Sequence, residues 1–188
     1  MFIVFEGIDG AGKTTLSKMV FDWLADLGKQ VYLTKEPRSF FQSKVNHTPD
    51  LNKEAEMLLY LAGRAHYYHN SIAPALQMGK IVLADRYTDS TVVYQGFNKG
   101  CDIKLIREIN NYITKGVTPD LVIYLDVSPE NAINRSSVNT LEGFTKLKSA
   151  YDFIYNETTN VERINADRPL EEVFTDVQER IFEYLEKE

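Results

Sequence analysis

Gly7-Ile8-Asp9-Gly10-Ala11-Gly12-Lys13-Thr14 decides how the rest of the chain is read. The pattern G-x-x-x-x-G-K-T lets the backbone fold tightly enough for several N–H groups to converge on one phosphate. Lys13 can then reach outer phosphates, and the Thr14 hydroxyl can sit on a magnesium ion. The flanks agree with this reading. Phe2-Ile3-Val4-Phe5 is a buried-strand run, and Leu16, Met19, Val20, Trp23, Leu24 and Leu27 follow at helical spacing. Strand, glycine loop and helix in that order bring the positive end of the helix dipole to the anion. The loop is read as a nucleoside-triphosphate site.

Working outward, strand-like runs recur at Phe2–Glu6, Val31–Lys35, Ile81–Ala84, Leu121–Leu125 and Val161–Ile164, with helical stretches between them. Alternation of this kind means right-handed crossovers and a parallel sheet covered on both faces. The spacing predicts Gly28 and Gly79 as glycines closing helices, and Ser128-Pro129 as a helix start. Leu170, Val173, Phe174, Val177, Ile181, Tyr184 and Leu185 form the apolar stripe of a last helix. Neither repeat nor linker is evident, so residues 1–188 read as one α/β domain. Residues 134–143, weakly periodic and rich in small polar side chains, are the expected lid.

Composition narrows the class. The formal net charge of −6 argues against general nucleic-acid binding, which wants a basic face. An acidic chain that holds polyanions must concentrate its cations locally, so each arginine matters. The single cysteine, Cys101, excludes an internal disulfide and fits a reducing, cytoplasmic setting. The N-terminus does not read as a secretory leader, and no apolar run is long enough to span a membrane.

In open parallel sheets, ligands lie at the carboxyl ends of the strands. Three predicted exits carry useful chemistry: Lys35-Glu36-Pro37-Arg38, Asp85-Arg86-Tyr87 and Asp126. An acid at such an exit can hold magnesium, and an adjacent arginine can clamp a phosphoryl oxygen. These three exits are expected to line one crevice with the loop.

The run Asp85-Arg86-Tyr87-Thr88-Asp89-Ser90-Thr91-Val92-Val93-Tyr94-Gln95-Gly96 resembles the thymidylate kinase signature, in which D-R-Y, D-S and Y-Q-G recur at this spacing. Phe5 to Thr15 resembles that family's phosphate loop, Thr34-Lys35-Glu36-Pro37 its second-strand exit, residues 56–65 its substrate helix, and Pro119 to Val127 its fourth strand. The resemblance implies a three-layer P-loop NTPase fold with a five-stranded parallel sheet and a short lid. It implies transfer of the γ-phosphoryl group of MgATP to dTMP, giving dTDP and ADP, in a homodimer. A related nucleotide or nucleoside kinase, or a non-catalytic nucleotide-binding module, is the alternative.

Roles carry over by position. Gly7, Ile8, Asp9, Gly10, Ala11, Gly12, Lys13, Thr14 and Thr15 would bind ATP, with Thr14 and Asp85 on magnesium. Lys13, Arg86 and Asp9 would serve catalysis, Asp9 facing the acceptor sugar or the metal shell. Arg64 matches the arginine that grips the acceptor phosphate, and Tyr60, one helical turn earlier, matches the aromatic that stacks on the base. Tyr60 alone reads equally well as a core residue. Arg86 would bind the acceptor phosphate or the transferring group, and Arg38 would be a third clamp on that phosphate or else a solvated surface charge. Pro37 would flank the acceptor, Thr91 would read the thymine edge, and Tyr94 would crowd a 2′-hydroxyl. Gln95 beside it reads equally as ordinary capping or solvation.

The chain departs from the family where the transition-state arginine is concerned. Gly10 stands at the loop position that carries it in some members, so the expectation moves to the lid. There Arg135, helped by Lys146 or Lys148, is the expected clamp; its alternative is a helix C-terminal cap. A GTP-dependent switch is the rival from another class, but Asn98-Lys99-Gly100-Cys101 lacks the aspartate of a guanine-reading motif.

Overall fold

Residues with apolar, β-branched and aromatic side chains on both faces form the centre of the sheet. β1 (Phe2–Glu6) is buried throughout, as are β3 (Ile81–Asp85) and all but the last residue of β4 (Leu121–Asp126). β2 (Val31–Lys35) and β5 (Val161–Asn165) are half-buried, as edge strands should be. All five are parallel in the order β2-β3-β1-β4-β5. The computed structural model describes every residue except Arg38, Pro49, Ser137, Glu157, Lys187 and Glu188, and no side chain of residues 39–42.

Alternation along β1 separates two cores. Ile3 and Phe5 face α1 (Lys13–Asp26) and the helices α8 (Leu141–Tyr155) and α9 (Leu170–Leu185), in a cluster with Leu16, Val20, Leu24, Tyr151 and Val177. Phe2 and Val4 face the opposite layer, packed with Tyr68, Ile72 and Tyr87. A third cluster joins α3 (Lys53–Tyr67) to α6 (Ile103–Ile113) through Met57, Leu61, Val92 and Ile106. α2 (Ser39–Asn46), α4 (Ala73–Gln77), α5 (Thr88–Thr91) and α7 (Pro129–Arg135) complete the order. The three-layer α/β expectation holds. Each fully buried Leu or Val in α1 contributes about 1.5–3 kcal/mol, which anchors the helix that begins at the phosphate loop.

Two helical segments widen to π geometry, Tyr68–Ile72 and Val92–Asn98. The second continues α5 and carries Tyr94 and Gln95 in its widened turn. Gly28 and Gly79 close their helices at φ 75° and 72°, and Ser128 caps α7 by accepting from the Asn131 N–H. Leu27 is a correction: it caps α1 and is 51% exposed, because the helix leaves the sheet at Asp26. No helix among the described residues is long and apolar enough to cross a membrane.

Candidate functional site

The sheet register sets the site. Phe5 pairs with Asp85 and Lys35 with Asp85, so three strand ends finish side by side under the loop. The Arg86 N–H adds one more ladder bond to the Phe5 carbonyl at 3.0 Å. The backbone then turns to φ 75° at Arg86 itself, a conformation that non-glycine residues rarely hold. A buried polar cluster supports the turn. Glu6, fully buried, accepts from the Tyr87 N–H (2.8 Å), the Ser90 hydroxyl (2.6 Å) and the Tyr151 hydroxyl (2.8 Å).

Arg86 is thereby held in the middle of the site. Its Nη1 donates to the Gly7 carbonyl (3.3 Å) and Ser90 Oγ (3.1 Å), and its Nη2 to Asp9 Oδ1 (2.5 Å). Its guanidinium lies 5.0 Å from the centre of the Tyr94 ring, whose hydroxyl donates to Asp9 Oδ2 at 3.0 Å. Burial disfavours the Arg86 charge, but Tyr94, Tyr151, Asp9 and Glu6 outweigh it and hold the group firmly protonated. Burial likewise works against ionised Asp9, and the charges of Arg86 and Lys13 overcome it, leaving its pKa below the ordinary value.

Lys13 folds across the loop, donating Nζ to the carbonyls of Gly7 (2.9 Å) and Ile8 (2.7 Å). Burial, then the Arg86 charge, pull its pKa down to about 7, against the opposing pull of Asp9, Asp85 and Glu6. Gly10 sits at φ 85°, and a Cβ there would come within 2.7 Å of the Ala132 carbonyl of α7. A side chain at this loop position would collide with that backbone unless α7 shifted. Ile8 and Ala11 are 2% exposed; their side chains anchor the loop from the core side.

Two cavities meet at this centre. One, of about 400 Å³, is lined by Asp9, Gly10 and the run Gly12 to Thr15 of the loop, together with Lys35, Glu36, Pro37, Asp85 and Arg86. The other, of about 440 Å³, lies between Tyr60, Tyr67, Thr91, Tyr94 and Gln95. Asp9, Glu36, Pro37 and Arg86 line both. Val138, from the segment between α7 and α8, reaches the rim of the larger one. Of residues 134–143, the expected lid, the ends are helical: α7 runs to Arg135 and α8 begins at Leu141.

Arg64 lines the larger cavity and is bonded into its wall. It is 4% exposed, and its donors go to Glu36 (2.8 Å), Thr91 Oγ1 (2.7 Å), Asn110 Oδ1 (2.9 Å) and the Tyr87 carbonyl (2.6 Å). With those bonds made inside the wall, it organises the floor of the larger cavity. Gln95 donates to Glu56 Oε1 at 3.3 Å, so part of its amide is spent on the protein.

Arg135 does not join the cluster. It ends α7, is exposed, donates to the Ala166 carbonyl at 3.0 Å, and lines neither cavity. Its expected helpers are also engaged elsewhere, Lys146 on the Asn98 carbonyl and Lys148 on Asp126 and Asp152. Asp126 likewise leaves the crevice, because β5 beside it supplies Arg163 at 2.8 Å. Arg38 lies outside the described residues.

Sequence reasoning missed Glu6, Tyr67, Asn46 and Ser90 as parts of the site or its support, whereas Glu36 and Val138 fall in segments it had assigned to the crevice and the lid. Glu6 carried a signal: a carboxylate ending an otherwise apolar central strand must find buried partners. Tyr67 sits one turn beyond Gly63 and Arg64 on the same face of α3, a spacing that was legible.

The thymidylate kinase family model matches residues 5–177 of this chain. A thymidylate kinase from Maridesulfovibrio salexigens is 34% identical, covering 98% of this chain and 96% of that relative. One from Nitratidesulfovibrio vulgaris is 41% identical over 81% of this chain and 71% of its own length. The crystal structure of thymidylate kinase from Ehrlichia chaffeensis superposes with a TM-score of 0.82 at 28% identity, over 96% of this chain and 98% of that one. With a phosphate loop, a D-R-Y strand exit and two cavities meeting between them, the chain belongs to the thymidylate kinase family.

Proposed function

We infer that the chain transfers the γ-phosphoryl group of ATP to dTMP, giving dTDP and ADP. The observation that carries this reading is the shared wall. Asp9 and Arg86 line both cavities, so a donor in one and an acceptor in the other bring their phosphates together there. ATP lies on residues 7–15, and the base of dTMP lies between Tyr60 and Tyr67 above Thr91 and Gln95. Tyr94 closes on the sugar, and Arg86 holds the acceptor phosphate. Pro37 borders the same space.

An oxygen of the dTMP phosphate forms the new P–O bond as the β–γ bridge of ATP breaks, and ADP leaves. Phosphoryl transfer asks the protein mainly for alignment and charge neutralisation. Lys13 and Arg86 meet those needs from within the site; no general base is required. Val138, at the rim of the acceptor cavity, helps exclude water, which would otherwise consume ATP.

Thr14 and Asp85 would hold the magnesium ion of MgATP. Asp85 Oδ1 is buried with no hydrogen-bond partner among the described residues, while Oδ2 accepts from the Thr14 hydroxyl at 2.5 Å. One carboxylate and one hydroxyl are the sparse protein ligand set of a hard ion that keeps its waters and substrate phosphates. Bound there, magnesium would neutralise charge on the outer phosphates of the donor.

The reading extends to one kinase domain over residues 1–188, working as a cytoplasmic homodimer. Leu58 on α3 and Leu105 on α6, both large, apolar and exposed, support a paired surface on those helices. A bisubstrate analogue, adenosine joined to thymidine through five phosphates, tests the shared wall. It should bind at least a hundredfold more tightly than ADP and be displaced by either nucleotide; displacement by ATP but not by dTMP would refute the arrangement.

A further inference from the structure

Lys35 is the cation of the phosphate cavity that the reaction as described does not use. The parallel register places it beside Asp85 at the ends of β2 and β3. Its Nζ lies 2.9 Å from Thr14 Oγ1 and 3.4 Å from Asp85 Oδ2, with 55% of the side chain exposed. The ammonium therefore sits between the hydroxyl and the carboxylate that suit a divalent ion.

The bonding sets the two cations in competition for one seat. Thr14 donates its proton to Asp85 and accepts from Lys35. A divalent ion drawn to the same hydroxyl oxygen and carboxylate would meet the like charge of the Lys35 ammonium beside both. Neither Lys13 nor Arg86 bonds to Thr14 or Asp85: Lys13 donates to loop carbonyls and Arg86 to Asp9, Ser90 and Gly7. Lys35 also has room to withdraw. It lines a second cavity, of about 490 Å³, that shares Thr14, Pro37 and Asp85 with the first and extends along Ser17 and Leu33.

We propose that Lys35 is a resident counter-cation at the divalent-metal seat, supporting nucleotide phosphates when metal is lacking and yielding Asp85 and Thr14 when metal arrives. The proposal rests on the donor site inferred above. It predicts that the chain binds a nucleoside diphosphate without metal, through Lys35, and that Lys35 weakens metal capture.

The test is equilibrium binding of ADP to the full chain, once in excess EDTA and once with saturating Mg²⁺, for wild type, Lys35→Gln and Lys35→Arg. A half-exposed charge near a phosphate corresponds to about tenfold in affinity. In EDTA, Lys35→Gln should lose about tenfold while Lys35→Arg stays close to wild type. With Mg²⁺, Lys35→Gln should change far less. Mn²⁺ titration of the ADP complex, followed by electron paramagnetic resonance, should show tighter Mn²⁺ binding in Lys35→Gln. Circular dichroism checks that each variant folds. Equal losses with and without metal would reduce Lys35 to a general electrostatic pull and overturn the proposal, as would no loss in EDTA. Failure of wild type to bind ADP in either condition would overturn the donor site itself, and the Lys35 proposal with it.

Discussion

Asp89→Asn should stabilise the protein above pH 6 and leave it unchanged near pH 4. Asp89 is half-buried on α5, accepting from the Tyr155 hydroxyl at 2.9 Å. Burial raises its pKa, Glu6 adds repulsion, and Tyr155, Arg64 and Arg107 only partly compensate, so it rises from 3.8 to about 6. The folded state then holds the proton to higher pH than the unfolded chain. Stability from this group is complete below about pH 4, falls as pH rises to about 6, and stays reduced above. Two pKa units correspond to at most about 3 kcal/mol, and residual solvent contact brings the expectation nearer 2 kcal/mol. Asparagine keeps an acceptor for Tyr155 and carries no charge. Urea unfolding followed by fluorescence of Trp23, the single tryptophan, should show the gain at pH 8. The melting temperature should rise by about 4–8 °C there. A difference independent of pH, or a loss at pH 8, would refute the reasoning.

Three further outcomes follow from the site. Arg86→Ala should cut turnover by about 10³ in a steady-state assay, the scale of a lost phosphoryl clamp, whereas Arg135→Ala, exposed and bound to a carbonyl, should cost less than tenfold. Arg64→Met breaks the buried ion pair with Glu36 and removes the donors to Thr91 and Asn110, so denaturant unfolding should report a loss of about 3–5 kcal/mol. Tyr94→Phe removes the hydroxyl from Asp9 and should lower kcat/KM for dTMP by about tenfold, the worth of a hydrogen bond to a charged group.

The sheet was legible because its strands are short runs of apolar and β-branched residues bounded by turn chemistry; each predicted strand matches within one residue at its end. That last residue matters. Extending β3 by one puts Asp85 inside the ladder, which fixes the carboxylate where a loop residue would wander. The phosphate loop was legible because its residues are contiguous and their spacing is dictated by one phosphate. The cavity floor was not. Glu36, Arg64, Thr91 and Asn110 come from four separate elements, and nothing in their local sequence signals that they share hydrogen bonds. The same limit hid the packing of Gly10 against Ala132 and the capture of Arg135 by the Ala166 carbonyl. The π-helical turns escaped because one inserted residue shifts a helical pattern too little for periodicity to register.

The most direct test is an ATP-coupled assay of purified chain with dTMP, dUMP, dCMP, dGMP and thymidine as acceptors, with Mg²⁺ present. dTMP should give the highest kcat/KM, with dTDP and ADP formed in equal amounts. A higher kcat/KM for another monophosphate or for thymidine, or ADP formed without dTDP, would contradict the account.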